Sequence, residues 1–155
     1  MKNKIVLVTG GAGFIGSHLV DKLVERGCEV RVIDDLSLGK RENINPRSIF
    51  WEKDIRDPYQ LNYYHIFEGV DCVFHLAAHP RIQPSIINPD KSFTNNLLGT
   101  HNVLMAAKEA RVRRVVYSGS SSVYGDQSES PLREDMTPHP KILTLLINGR
   151  PKKDV

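Results

Sequence analysis

A glycine turn set between a β-branched run and an amphipathic pattern constrains this chain more than any other feature. Lys4–Thr9 reads KIVLVT, and Gly10-Gly11-Ala12-Gly13-Phe14-Ile15-Gly16 follows directly. So short and continuous an apolar run fits a strand buried on both faces, as in a parallel sheet. Phe14–Arg26 then places Ile15, Leu19 and Leu23 four residues apart, and Gly27 stands where a helix would end. In this context the glycines have separate tasks. Gly10 supplies a tight turn, Gly13 lets the backbone approach a pyrophosphate, and Gly16 lets the helix pack closely on the strand. The amides of Phe14 and Ile15 fall at a helix N-terminus, whose partial positive charge favours phosphates.

The alternation continues. Val30–Ile33 predicts a second strand, Ser48–Glu52 a third, Asp71–Ala77 a fourth and Arg114–Ser118 a fifth. Between the last two, about Asp90–Ala110 predicts a long helix with Phe93, Leu97, Leu104 and Ala107 on one face. Gly99 inside it costs about 1 kcal/mol against alanine, and the expected reason is close packing against a neighbouring backbone. Strands alternating with helices imply an α/β domain with a parallel sheet. Asp34 ends the second strand, 18 residues after Gly16, where a carboxylate can accept both ribose hydroxyls of an adenosine. It would repel a 2′-phosphate, so NAD is expected rather than NADP, although Lys40 and Arg41 lie close in sequence. Asp35 can share the role. Beyond Gly125, Asp, Ser, Pro and His predominate and predict loop.

Composition narrows the class further. The chain has 155 residues, 40% apolar and 25% charged, which suits one domain with a core. No apolar stretch approaches the roughly 20 residues that span a bilayer. Residues 1–140 carry 17 Lys+Arg and 17 Asp+Glu, so the net +3 sits entirely in residues 141–155. No nucleic-acid or membrane partner is expected of a neutral body. Cys28 and Cys72 predict two buried thiols in a reducing, cytoplasmic setting. The six histidines show no metal-ligand spacing, so no metal is expected.

The segments TGGAGFIGSHL (9–19), IDDLS (33–37), Asp54-Ile55, HLAA (75–78), NNLLGT (95–100) and SGSSSVYGD (118–126) together resemble the extended short-chain dehydrogenase/reductases. The likeness is strongest to their NAD-dependent nucleotide-sugar epimerases and dehydratases, and HLAAHPRIQPSIINP (75–89) is most similar to the UDP-glucose 4-epimerase group. The resemblance implies a Rossmann-type doubly wound parallel sheet, incomplete at about five strands and without a C-terminal substrate domain. It also implies a nucleotide-sugar substrate and a homodimer for the full-length form. By resemblance, Asp54 and Ile55 flank the adenine, with Asp54 bonding its amino group. Leu76, Ala77 and Ala78 run along the cofactor, Asn95 lies near the nicotinamide side, and Ser120 is the catalytic serine. Dehydratases of the family usually carry Thr-Asp-Glu where this chain has Ser120-Ser121-Ser122, so the 4-epimerase is expected over a 4,6-dehydratase or decarboxylase.

The family's chemistry also needs a Tyr-x-x-x-Lys pair, and none occurs after Tyr124. The resemblance puts its tyrosine at position 144, which holds Thr144 within Ile142–Gly149. Permitted codons for that stretch, ATC-CTT-ACG-CTG-TTA-ATA-AAT-GGN, read from their third base as CCT-TAC-GCT-GTT-AAT-AAA-TGG. The product is Pro-Tyr-Ala-Val-Asn-Lys-Trp. Residues 1–140 are therefore expected to be the N-terminal part of an NAD-binding domain, with a non-catalytic dinucleotide-binding module as the alternative, and residues 141–155 an aberrant, frameshifted tail.

Overall fold

The protein is described by a computed structural model over residues 3–63, 65–80 and 82–139. Five parallel strands form one sheet: β1 (Ile5–Thr9), β2 (Glu29–Asp34), β3 (Ile49–Glu52), β4 (Cys72–His75) and β5 (Arg114–Tyr117). Their order is β3-β2-β1-β4-β5, so strand order reverses between β1 and β4. Each expected strand is present, with ends shifted by one or two residues, and the sheet is the doubly wound type the sequence predicts. Helix α1 (Phe14–Glu25) follows the glycine turn, α2 (Pro58–Tyr63) and α3 (Ile82–Ile87) are short additions, and α4 (Pro89–Ser92) leads into α5 (Gly99–Glu109). A π-helical segment, Phe93–Leu98, joins the last two. The described residues past Gly125 carry neither helix nor strand.

The period-two alternation of β1 explains both cores. Leu7 points with Ile33 and Val73 into a layer closed by Ile55, Leu61, Val103 and Ala106. Val6 and Val8 point the other way, with Val30, Val32 and Cys72, onto Val20, Leu23 and Val24 of α1. β1 is thus buried on both faces, as a central parallel strand requires. At the β5 edge this cover thins, leaving Val116 and Tyr117 exposed.

The 89–109 region corrects one expectation. Phe93, Leu97 and Leu104 face outward, and only Ala107 of the predicted stripe is buried. The inward face is small and polar: Ser92, Asn95, Gly99, Asn102, Val103, Ala106 and Ala107. The cause is the distance of approach. A Cβ on Gly99 would stand 2.7 Å from Cδ1 of Ile55, so the glycine accommodates a side chain and not, as expected, a backbone. Asn102 Nδ2 donates to the carbonyls of Ile55 (3.0 Å) and Arg56 (2.9 Å), which would otherwise lack these partners beneath the helix.

Candidate functional site: a cleft at the carboxyl edge of the sheet

Thr9 and His75 end adjacent strands, and the chain leaves both at the same edge. Gly10 turns there with φ +73°, a left-handed conformation that costs glycine least. A Cβ on it would lie 2.7 Å from the amide nitrogen of Ala77, so the two strand exits touch backbone to backbone. Gly16 is equally confined: its Cβ would fall 2.0 Å from the Gly10 carbonyl oxygen. The contact that excludes a side chain is therefore with the turn itself, not with the strand. Gly13 caps α1 in an extended conformation, and its Cβ would come no nearer than 3.3 Å to the Gly10 oxygen. Gly13 also lines the cleft.

The cleft holds about 550 Å³ of space, part of it open solvent. Its lining brings together Gly10, Gly13, Asp34, Asp35, Ile55, Ala77, Ala78 and Asn95 of the residues expected from sequence. Phe14, Ile15, Gly16, Asp54, Leu76 and Ser120 are not in the lining. Phe14 and Ile15 begin α1 with exposed side chains, and Leu76 packs on the α1-side core.

Asp34 is buried and fixed from two sides. Its Oδ2 accepts the Ala12 N–H and its Oδ1 accepts the Leu36 N–H, both at 2.9 Å. Burial raises its carboxyl above the usual range; the N–H donors of Leu36 and Ala12 offset part of this, and the Asp35 charge adds to it. Asp35 accepts the amide and hydroxyl of Ser37 at 2.9 and 2.6 Å. Lys40 and Arg41 stay out of the lining: Lys40 pairs with Glu42, and Arg41 pairs with Glu52 and lies over the Phe50 ring. Lys53 is in the lining instead, and its amide donates to the Asp34 carbonyl. Sequence reasoning missed it because pairing of β2 with β3 brings it to Asp34, and it also passed over Ser37, Leu38, Gly39 and His79, which closely follow expected residues.

Asp54 stands outside the lining, with Arg56 Nε at 3.0 and 2.8 Å from its two oxygens. Burial pushes its carboxyl up, but the Arg56 guanidinium and N–H outweigh that and hold it below the usual range. Asn95 sits in the π-helical segment, buried, with Nδ2 donating to the Lys91 carbonyl at 2.7 Å. Its neighbour Asn96 grips His79 at both backbone groups, accepting its N–H at 2.8 Å and donating to its carbonyl at 3.2 Å. Burial and the Lys91 charge hold the His79 ring below its ordinary value, against the pull of Asp35. Ser120 follows β5 at the same sheet edge and caps a 3₁₀ turn, Ser121–Tyr124, its exposed Oγ accepting the Ser122 N–H at 3.2 Å. Among the described residues no cluster of His, Cys, Asp and Glu could hold a metal, and no helix is long and apolar enough to cross a membrane.

Open parallel sheets take ligands outside the carboxyl ends of their strands, where strand order reverses. Here the reversal lies between β1 and β4, and the cleft opens there beside a helix N-terminus and a pinned carboxylate. Fold and cleft together define a dinucleotide-binding α/β protein. The chain belongs to the NAD dependent epimerase/dehydratase family, whose model matches residues 6–143, and NAD is that family's cofactor. It is 38% identical over 135 residues to UDP-glucose 4-epimerase of Lactobacillus helveticus, covering 87% of this chain and 41% of the relative. It is 42% identical over 134 residues to UDP-glucuronic acid decarboxylase 1 of Arabidopsis thaliana, covering 83% of this chain and 29% of that one. The crystal structure of Thermus thermophilus UDP-glucose 4-epimerase in complex with NAD superposes with a TM-score of 0.81 at 39% identity, covering 88% of this chain and 45% of that chain. The chain thus spans less than half the length of these relatives.

Proposed function

We propose that this chain is the N-terminal, NAD-holding part of a nucleotide-sugar 4-epimerase. The observation that carries the reading is the cleft, where a glycine turn and the Asp34 that it holds lie together beside the switch point of the sheet. In this reading the Gly10–Gly16 turn and the start of α1, at Phe14 and Ile15, take the pyrophosphate. Asp34, with Asp35 beside it, takes the adenosine ribose. Ile55 closes the adenine side, with Asp54 at its rim, while Leu76, Ala77, Ala78 and Asn95 follow the cofactor toward the nicotinamide. Bound NAD supplies a hydride acceptor and donor at the sugar C4. Ser120 orients the hydroxyl that loses and regains its proton, and an exposed serine Oγ at the sheet edge, which accepts the Ser122 N–H and keeps its own proton to donate, suits that role.

The 155 residues contain no Tyr-x-x-x-Lys pair after Tyr124, so this polypeptide is expected to bind NAD and turn over sugar negligibly. The nucleotide-sugar substrate, the homodimer and the cytoplasmic setting belong to the full-length form. The reading places the end of the NAD-binding part near residue 140, close to where the family match ends at residue 143, and takes residues 141–155 as a tail read in a shifted frame. That tail lies outside the described residues. The likeness to a decarboxylase favours one alternative, a decarboxylating or dehydrating enzyme with the same cofactor half. The serines at 120–122 favour the epimerase.

Calorimetric titration tests the cofactor reading: the chain takes up NAD and Gly13→Val does not. Equal, flat traces for both would refute it. Incubation with UDP-glucose and UDP-galactose tests inactivity, since measurable epimerisation by the 155-residue chain would contradict it. DNA sequence around codon 141 tests the frame. Codons unable to yield Tyr-Ala-Val-Asn-Lys in the shifted frame would end that idea.

A further inference from the structure

His75 is 2% exposed and ends β4 directly behind the cleft, yet its ring is fully engaged. Nδ1 lies 2.6 Å from Thr9 Oγ1, and Nε2 lies 2.9 Å from Thr100 Oγ1. Each hydroxyl has a second partner. Thr100 Oγ1 donates to the Asn96 carbonyl at 2.6 Å, and Thr9 Oγ1 accepts the Ala77 N–H at 3.3 Å.

A threonine hydroxyl has one proton to give. Since Thr100 gives its proton to Asn96, the His75 Nε2 must carry a proton and donate it to Thr100. The neutral ring then has a bare Nδ1, which accepts the Thr9 proton and leaves the Thr9 oxygen to accept from Ala77. Every bond now runs one way: Ala77 N–H to Thr9, Thr9 to His75, His75 to Thr100, Thr100 to Asn96. The opposite tautomer could still donate from Nδ1 to the Thr9 oxygen, but it would leave a bare Nε2 facing a Thr100 oxygen whose proton is committed to Asn96. The chain of bonds ends at two parts of the lining. One is Ala77; the other is the π-helical segment, where Asn95 lines the cleft and Asn96 grips His79.

We propose that His75, as its neutral Nε2–H tautomer, is a positioning residue that ties the β1 exit to the π-helical segment and so sets where Ala77, His79 and Asn95 stand around the cofactor. The proposal rests on the NAD reading for its consequence, but not for its geometry. Burial agrees with it, holding the His75 ring down at about 4 and hence neutral. The Tyr117 ring lies beside it, with ring centres 5.7 Å apart.

Thr100→Val removes the hydroxyl at nearly constant volume, and Thr100→Ser retains it. Nitrogen NMR of the wild-type ring should show a protonated Nε2 and a bare Nδ1 across neutral pH. Amide exchange at Ala77 and His79 should rise about tenfold in Thr100→Val relative to Val6–Val8, and remain at wild-type rates in Thr100→Ser. NAD affinity should fall about tenfold in the first variant and hold in the second. A protonated Nδ1 in the wild type, or unchanged exchange at His79 in Thr100→Val, would overturn the proposal. Should the exchange pattern appear while wild-type protein ignores NAD, the relay stands and the cofactor reading falls. The wild-type ring spectrum and the serine variant need no folded valine variant, so the proposal stays exposed to refutation.

Discussion

Gly16→Ala sets two physical arguments against each other. Gly16 lies in the first turn of α1, where intrinsic helix propensity alone predicts that alanine stabilises by up to about 1 kcal/mol. The packing predicts the reverse. The added Cβ would sit 2.0 Å from the Gly10 oxygen and 2.8 Å from its carbonyl carbon. Non-bonded heavy atoms settle near 3.5–4 Å, so the turn must withdraw by roughly 1.5 Å. It has nowhere to go, because Gly10 already stands at φ +73° against Ala77, within 2.7 Å of its nitrogen for any added Cβ. Helix α1 cannot yield easily either, since Val20, Leu23 and Val24 are seated in the core. Overpacking of this kind costs about 1–3 kcal/mol, and against backbone the upper part of that range applies. Net destabilisation of about 2 kcal/mol should lower the thermal midpoint by several degrees in a chain of this size. Calorimetric or circular-dichroism melting measures it, with Gly13→Ala as the comparison, because that Cβ meets only an oxygen at 3.3 Å. Gly16→Ala should melt earlier and lose NAD, whereas Gly13→Ala should melt close to wild type. A Gly16→Ala midpoint at or above wild type would refute the packing argument.

Three further outcomes follow from the same contacts. His75 titrates near 6.5 when unfolded and at about 4 when folded, because burial penalises its charged form. Its folded value is depressed, so its contribution is present above pH 6.5 and lost as pH falls to about 4, a swing of about 3 kcal/mol. Urea unfolding across that window should show His75→Gln with a shallower acid slope than wild type; parallel curves would contradict the assignment. Asn102→Leu strands the Ile55 and Arg56 carbonyls and should cost about 2–4 kcal/mol by the same measurement, well beyond an exposed substitution. Lys40→Ala should leave the preference for NAD over NADP unchanged within about twofold, since its partner Glu42 is as exposed as the lysine itself. A marked shift toward either cofactor would place Lys40 at the ribose after all.

What the sequence determined by itself was local. The β-branched run, the glycines and the spacing of Leu19 and Leu23 define strand, turn and helix within one stretch of chain, and β1 and α1 formed there. The acid at the end of the second strand was legible for the same reason, since strand pairing carries Asp34 to the turn. The family's motifs were equally legible, because they are words in the chain. The tertiary structure decided which partners came to meet these elements. The stripe Phe93, Leu97 and Leu104 has a valid helical period, yet it faces outward, because the approach of Ile55 leaves room only for Gly99 inside. Lys53 and His79 reach the cleft only because β3 and the exit of β4 carry them to the edge where β1 ends. Period and turn chemistry are properties of neighbours in sequence. The choice of inward face and the tautomer of a buried histidine depend on groups brought from about 25 to 70 residues away.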